Sequence, residues 1–205
     1  AIYFKGRWKV EFDKSKTRDG VFHLPNGREK QVPMMSQSSN FPYFRGDNFE
    51  AVSLPYGEGR MSMYIFLPNS DSNLDAFLLH LNAENWENWM SQFDEVADNL
   101  MVVLPRFKLE YEVTLNDALK ALGMGIAFSG RANFDGIAPG LFISEVKHKT
   151  FVEVNEEGTE AAAVTAVMLK DSIPPLFVVD RPFFFAIRDN WTGTVLFMGL
   201  VIEPM

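Results

Sequence analysis

Residues 49–54 and 61–67 form two almost unbroken apolar runs, closed by Pro55-Tyr56-Gly57 and by Pro68. A strand with one wet face alternates apolar and polar residues, so runs of this kind belong to central strands of a sheet covered on both sides. Covering them needs a layered fold, and 205 residues with 47% hydrophobic content are enough for one sizeable core. The longest apolar stretches, 61–67 and 174–179, are too short to cross a bilayer and are bounded by proline or charge, so no membrane span is expected.

The rest of the chain reads as further strands with a helical interlude. Residues 2–10 are rich in aromatic and branched side chains and predict a strand; residues 20–35 carry two runs around Leu24-Pro25-Asn26-Gly27, a hairpin signal. From Ser72 the period changes: Leu74, Phe77, Leu78 and Leu81, then Trp86, Trp89, Met90 and Phe93, recur at the spacing of two short helices. Residues 101–104 are strand-like, and Phe107, Leu109 and Tyr111 alternate with Lys108, Glu110 and Glu112 as in a half-buried strand. Thr114 is placed to cap a helix bearing Leu115, Ala118, Leu119 and Leu122, with Gly123 to end it. A long strand over 143–154 follows, then strands at 176–179, 183–188 and 195–201, the last two flanking Asp189-Asn190-Trp191-Thr192-Gly193. With no repeat and no linker-like shift in composition, one α+β domain, or part of one, is the economical reading.

A formal net charge of −8 argues against a phosphate-binding surface, and nucleic-acid partners are not expected. Without cysteine there are no disulfides, no thiolate metal site and no thiol nucleophile. No G-x-S-x-G elbow, P-loop, H-E-x-x-H or Rossmann glycine triplet is present, and His23, His80 and His148 are far apart in sequence. Neither an enzyme, a metal site nor a cofactor is expected. Asn190-Trp191-Thr192 is a glycosylation sequon of low information. The first residues resemble neither a signal peptide nor a domain start and read as mid-domain sequence.

Residues 155–175 fit no ordinary category. Alanine-rich sequence favours helix, yet the apolar positions make no helical stripe and the segment runs into Ser172-Ile173-Pro174-Pro175. At a period of two it separates. Thr159, Ala161, Ala163, Thr165, Val167 and Leu169 share one face, and both charges, Glu160 and Lys170, fall on the other. Such a segment can be a solvated loop, and it can also enter a sheet without burying a charge.

Glu156-Glu157-Gly158-Thr159-Glu160-Ala161-Ala162-Ala163 resembles the hinge of inhibitory serpins almost residue for residue. Phe4-Lys5-Gly6-Arg7-Trp8, Val32-Pro33-Met34-Met35, Phe66-Leu67-Pro68, Leu104-Pro105-Arg106-Phe107, Leu122-Gly123-Met124, Asp180-Arg181-Pro182-Phe183 and Phe197-Met198-Gly199 are similar to serpin landmarks in the same order. The resemblance implies the C-terminal part of a single serpin domain. That fold has three β-sheets with surrounding helices and an exposed reactive-centre loop, here at about residues 156–176. The N-terminal half, with most of the helices and two strands of the main sheet, is absent from this sequence.

What the family does is then an expectation for this chain. A serpin inhibits a serine protease as a suicide substrate: the loop is cleaved, the acyl-enzyme is trapped, and the loop inserts into the main sheet. Gly158 matches the pivot, Thr159 the first residue to enter, and Ala161, Ala162 and Ala163 the small residues that follow. Val164 is bulkier than the usual pattern. His148 and Trp8 match positions where the sheet opens, with an ordinary core role as the alternative for each. Loop length places the reactive bond at Ser172-Ile173; matching Ser172-Ile173-Pro174-Pro175 to other serpins moves it to Asp171-Ser172. A serine before the bond favours elastase-like or subtilisin-like targets. The implied partners are that protease and the N-terminal half, in an extracellular or cell-envelope setting. The alternatives are a non-inhibitory serpin acting as carrier or chaperone, whose hinge usually loses its small residues, and a hydrolase, which would turn substrate over.

Overall fold

The computed structural model describes residues 2–94, 96–158 and 175–204. They divide into two compact units, one of residues 5–107 and 153–205 and one of residues 1–4 and 108–152.

The larger unit is built on an eight-stranded sheet. Its strands are β2 (Arg18–His23), β3 (Glu29–Arg45), β4 (Phe49–Tyr56), β5 (Met61–Pro68), β6 (Val96–Pro105), β9 (Leu176–Val178), β10 (Phe183–Asp189) and β11 (Val195–Val201). The order is β11-β10-β5-β4-β3-β6-β9, with β2 added alongside the first part of β3. The two apolar runs are β4 and β5, in register Val52 to Ile65, and both lie inside the sheet. They are buried on both faces, as unbroken apolarity requires.

One face is covered by the predicted helices, α1 (Leu74–His80) and α2 (Ala83–Met90). Asn73 and Asn82 cap them, each side chain accepting the N–H three residues on. Leu74, Phe77 and Trp89 pack on Phe49, Ala51, Tyr64, Phe66, Phe184 and Ala186. On the opposite side of β10, Phe183 and Phe185 meet Phe107 at ring separations of 5.6 and 5.4 Å. The β2–β3 hairpin turns where expected, and Gly27, at φ +77°, supplies the left-handed residue.

The smaller unit holds a three-stranded sheet in the order β1-β8-β7, made of β1 (Ile2–Tyr3), β7 (Phe107–Thr114) and β8 (Lys147–Val154). β1 and β8 are direct parallel neighbours, pairing Ile2 with Thr150 and Tyr3 with Phe151.

Several boundaries differ from the sequence reading. The first strand stops at Tyr3; Arg7 and Trp8 make only isolated bridges, because the chain leaves the strand to bond Tyr56 and Gly158. Thr114 ends β7 and caps nothing. The helix is the short α3 (Asn116–Leu119), and Asn116 instead ties residues 144 and 146 to its start. Gly123, at φ +99°, kinks the helical stretch that continues from α3, and a 3-10 turn over Gly125–Phe128 follows it. β8 begins at Lys147, since Ile143 spends its N–H on Ala127 in a loop. Tyr111 is exposed, so β7 does not keep the half-buried pattern that its alternation suggests.

Candidate functional site: the hinge and its seat

β8 runs into a turn over residues 155–158, closed by the Gly158 N–H donating to the Asn155 carbonyl at 3.2 Å. The turn is held by a segment that begins at Gly6 and ends at Thr17. The Trp8 and Phe12 N–H groups donate to the carbonyls of Glu157 (3.3 Å) and Glu156 (2.9 Å), and the Trp8 indole Nε1 donates to the Asn155 carbonyl at 2.9 Å. Trp8 is itself fixed. It is 3% exposed, stacks on Tyr56 with ring centroids 4.3 Å apart, and meets Phe12 edge-on. Burial pushes the Tyr56 phenol pKa well above its usual value, so that ring stays neutral.

Glu156 carries a charge into this site. Its side chain is 1% exposed, and Arg106 meets it with Nε 2.9 Å from both carboxylate oxygens, Nη2 adding a further bond to Oε1. The Thr17 hydroxyl also donates to Oε1. Burial works to raise the Glu156 pKa, but the hydrogen bonds from Arg106 and Thr17 outweigh it and the group ends below its ordinary value, ionised at neutral pH. Arg106 keeps 43% of its side chain exposed. Glu157, by contrast, pairs with Lys14 near the surface.

Gly158 is seated against backbone. It bridges Asn155 on one side and Arg7 on the other, at φ +89°, and a Cβ there would lie 2.4 Å from the Gly6 carbonyl oxygen and 2.6 Å from the Trp8 nitrogen. Only glycine fits, for both conformation and space.

Of the residues singled out in the sequence, Glu156, Glu157, Gly158 and Trp8 are therefore gathered in one site. His148 is half-buried on β8, in the smaller unit. Thr159, Glu160, Ala161, Ala162 and Ala163 lie outside the described residues, as do Asp171, Ser172 and Ile173 of the two candidate bonds. Sequence reasoning gave no role to Arg106, Thr17 or Lys14. The one available signal was chemical: a Glu-Glu pair entering a fold needs cations, and Arg106 stood in a segment already noted.

The family model described as serpin (serine protease inhibitor) matches residues 1–204, and the chain belongs to that family. Among relatives, it is 40% identical to Serpin-ZXA of Oryza sativa subsp. japonica, to a protein named serine protease inhibitor from Cyanea capillata and to human glia-derived nexin. Each match covers all of this chain and 55%, 56% and 54% of the respective relative, so the chain spans about half their length. Among solved structures, native protease nexin-1 with heparin matches with a TM-score of 0.81 at 35% identity, over 98% of this chain and 54% of that one. The thermophilic serpin tengpin in its native state matches at 0.78 and 30%, over 98% and 54%. Among the described residues no helix is long and apolar enough to cross a membrane.

Proposed function

We propose that the protein containing this chain inhibits serine proteases as a suicide substrate, with an elastase-like or subtilisin-like target. The observation that carries this reading is the hinge. Gly158 bridges both Asn155 and Arg7, and the residues that follow have a small, uncharged face in the sequence. β1 and β8 run parallel as direct neighbours, so a strand coming back from the hinge would enter antiparallel to both. Entry would exchange one strand interface for two, gaining roughly ten backbone hydrogen bonds at ~1 kcal/mol net each.

In the reaction, the protease serine oxygen attacks the Ser172 carbonyl. The bond to the Ile173 nitrogen breaks, the new amine takes a proton from the protease, and an ester joins Ser172 to the enzyme. Insertion then carries the ester-linked protease away before water completes the second half-reaction, driven by strain that the uncut loop had kept in store. The other half of the serpin domain is the partner that completes the main sheet.

The test is to mix the full-length protein with a panel of serine proteases and look for a 1:1 complex that survives denaturation. Thr159→Arg should be cleaved without forming it, because insertion would bury an unpaired guanidinium. A covalent complex with this variant would refute loop insertion.

A further inference from the structure

A cavity of about 250 Å³ opens in the larger unit where α1 and α2 meet the turn between β3 and β4. Its floor is aromatic. Phe77 and Trp89 stack with ring centroids 5.3 Å apart, and Phe49 meets them edge-on, at 5.3 and 5.0 Å. Its rim is polar: Asp47 and Asn48 come from the turn, His80 from the end of α1, and Asn85 and Asn88 from α2. Hydrogen bonds fix the walls. The Asn48 carbonyl accepts the Asn69 N–H at 2.9 Å, and Asn85 Nδ2 donates to the His80 carbonyl at 2.7 Å, tying the start of α2 to the end of α1. The side chains of Asp47, Asn48, His80 and Asn88 make no hydrogen bond or ion pair among the described residues. Trp89 is 9% exposed, and its indole N–H likewise has no partner there, although a buried tryptophan N–H usually finds one.

We propose that this cavity binds a neutral pyranose, one sugar ring with its apolar C–H face on the aromatic floor and its hydroxyls on the rim. The lining selects the ligand class. Among the described residues no lysine or arginine lines the cavity, and Asp47 adds a negative charge, so phosphate and carboxylate ligands are disfavoured. No three His, Asp or Glu side chains gather there to hold a metal. A wholly apolar ligand would take the rim amides out of water without pairing them. A hydroxyl pairs with all of them, since it donates and accepts at once, asparagine does the same, and the Asp47 carboxylate accepts. The Trp89 N–H gains an acceptor in the same way. The volume suits a single ring, being below the ~300–1,000 Å³ usual for sites of drug-sized ligands. A free sugar and the end of a glycan share this chemistry. The cavity has no residue in common with the hinge, and the proposal does not depend on the inhibitory reading.

Saturation-transfer NMR and calorimetry on the full-length protein test the proposal with glucose, galactose, mannose and N-acetylglucosamine, each as the free sugar and as its methyl glycoside. At least one is expected to bind with a Kd of about 1 mM, the scale for so small a ligand. Asp47→Ala and Asn88→Leu, both at exposed positions, should each weaken that binding at least about fivefold. Binding of a methyl glycoside identifies the end of a glycan as the natural ligand, and binding of the free sugar alone a small metabolite; either result supports the site. Absence of saturable binding up to about 50 mM would overturn the proposal. So would an affinity unchanged in both variants, or binding of inorganic phosphate or tetramethylammonium as tight as that of any sugar.

Discussion

Removing either partner of the Glu156–Arg106 pair should loosen the hinge, but by unequal amounts. Glu156→Gln keeps the volume and takes away the charge. Arg106 is 43% exposed and can turn to water, so the cost is that of a few weakened hydrogen bonds, about 1–2 kcal/mol. Arg106→Met leaves a carboxylate whose side chain is 1% exposed with only Thr17 and backbone for company. Stranding a buried charge costs about 3–5 kcal/mol. The double variant removes the stranded charge and should recover part of that loss, giving a coupling of about 1–3 kcal/mol. Urea unfolding of the full-length variants measures all three. If Glu156→Gln proves as damaging as Arg106→Met, or if the two losses simply add, the pair is not the buried latch that the geometry describes.

The same pair sets a pH dependence. Glu156 has its pKa lowered from 4.5, so its contribution is complete above that value and is lost as pH falls through the folded pKa; wild type should lose stability more steeply in that acid range than Glu156→Gln, which parallel denaturation series would reveal. Gly158→Ala meets backbone at 2.4 Å and an unfavourable φ together, and should cost at least about 2 kcal/mol in thermal or urea unfolding; a neutral result would mean the turn can move aside freely. Mass spectrometry of the peptide released from a trapped complex should find a new N-terminus at Ile173, and one at Ser172 would move the reactive bond to Asp171-Ser172. Asn190 donates to the Gly59 carbonyl and Ser62 hydroxyl and accepts from Tyr64, so Asn190→Ala should destabilise by about 1–3 kcal/mol, where an idle sequon asparagine would cost nothing.

What could be read in the sequence was what local periodicity encodes. β4 and β5 announced themselves by unbroken apolarity, α1 and α2 by their spacing, and the β2–β3 turn by Asn26-Gly27. Composition misled where tertiary pairing decides. Residues 2–10 look like one strand, but hydrogen bonds with residues 55, 57 and 157 claim their second half. Tyr111 has the right parity for burial and is exposed all the same. Glu156, Glu157, Gly158 and Trp8, singled out from their neighbours in the chain, do lie together in the structure. Arg106 and Thr17 were not singled out, because they reach Glu156 across 50 and 139 residues and nothing nearby marks them as partners.

The hold on the hinge is divided between two kinds of bond. The bonds that the Trp8 and Phe12 amides make to the carbonyls of Glu157 and Glu156 belong to the main chain, and they survive any change of side chain at 156 or 157. The Lys14–Glu157 pair lies near the surface, and exchanging it alters the grip by no more than about 1 kcal/mol, a several-fold change in an opening equilibrium. If the proposed mechanism holds, selection has a fine adjustment and a coarse one at the same turn: surface substitutions would retune how readily residues 156–158 leave their seat, while the backbone bonds would preserve the register through the variation.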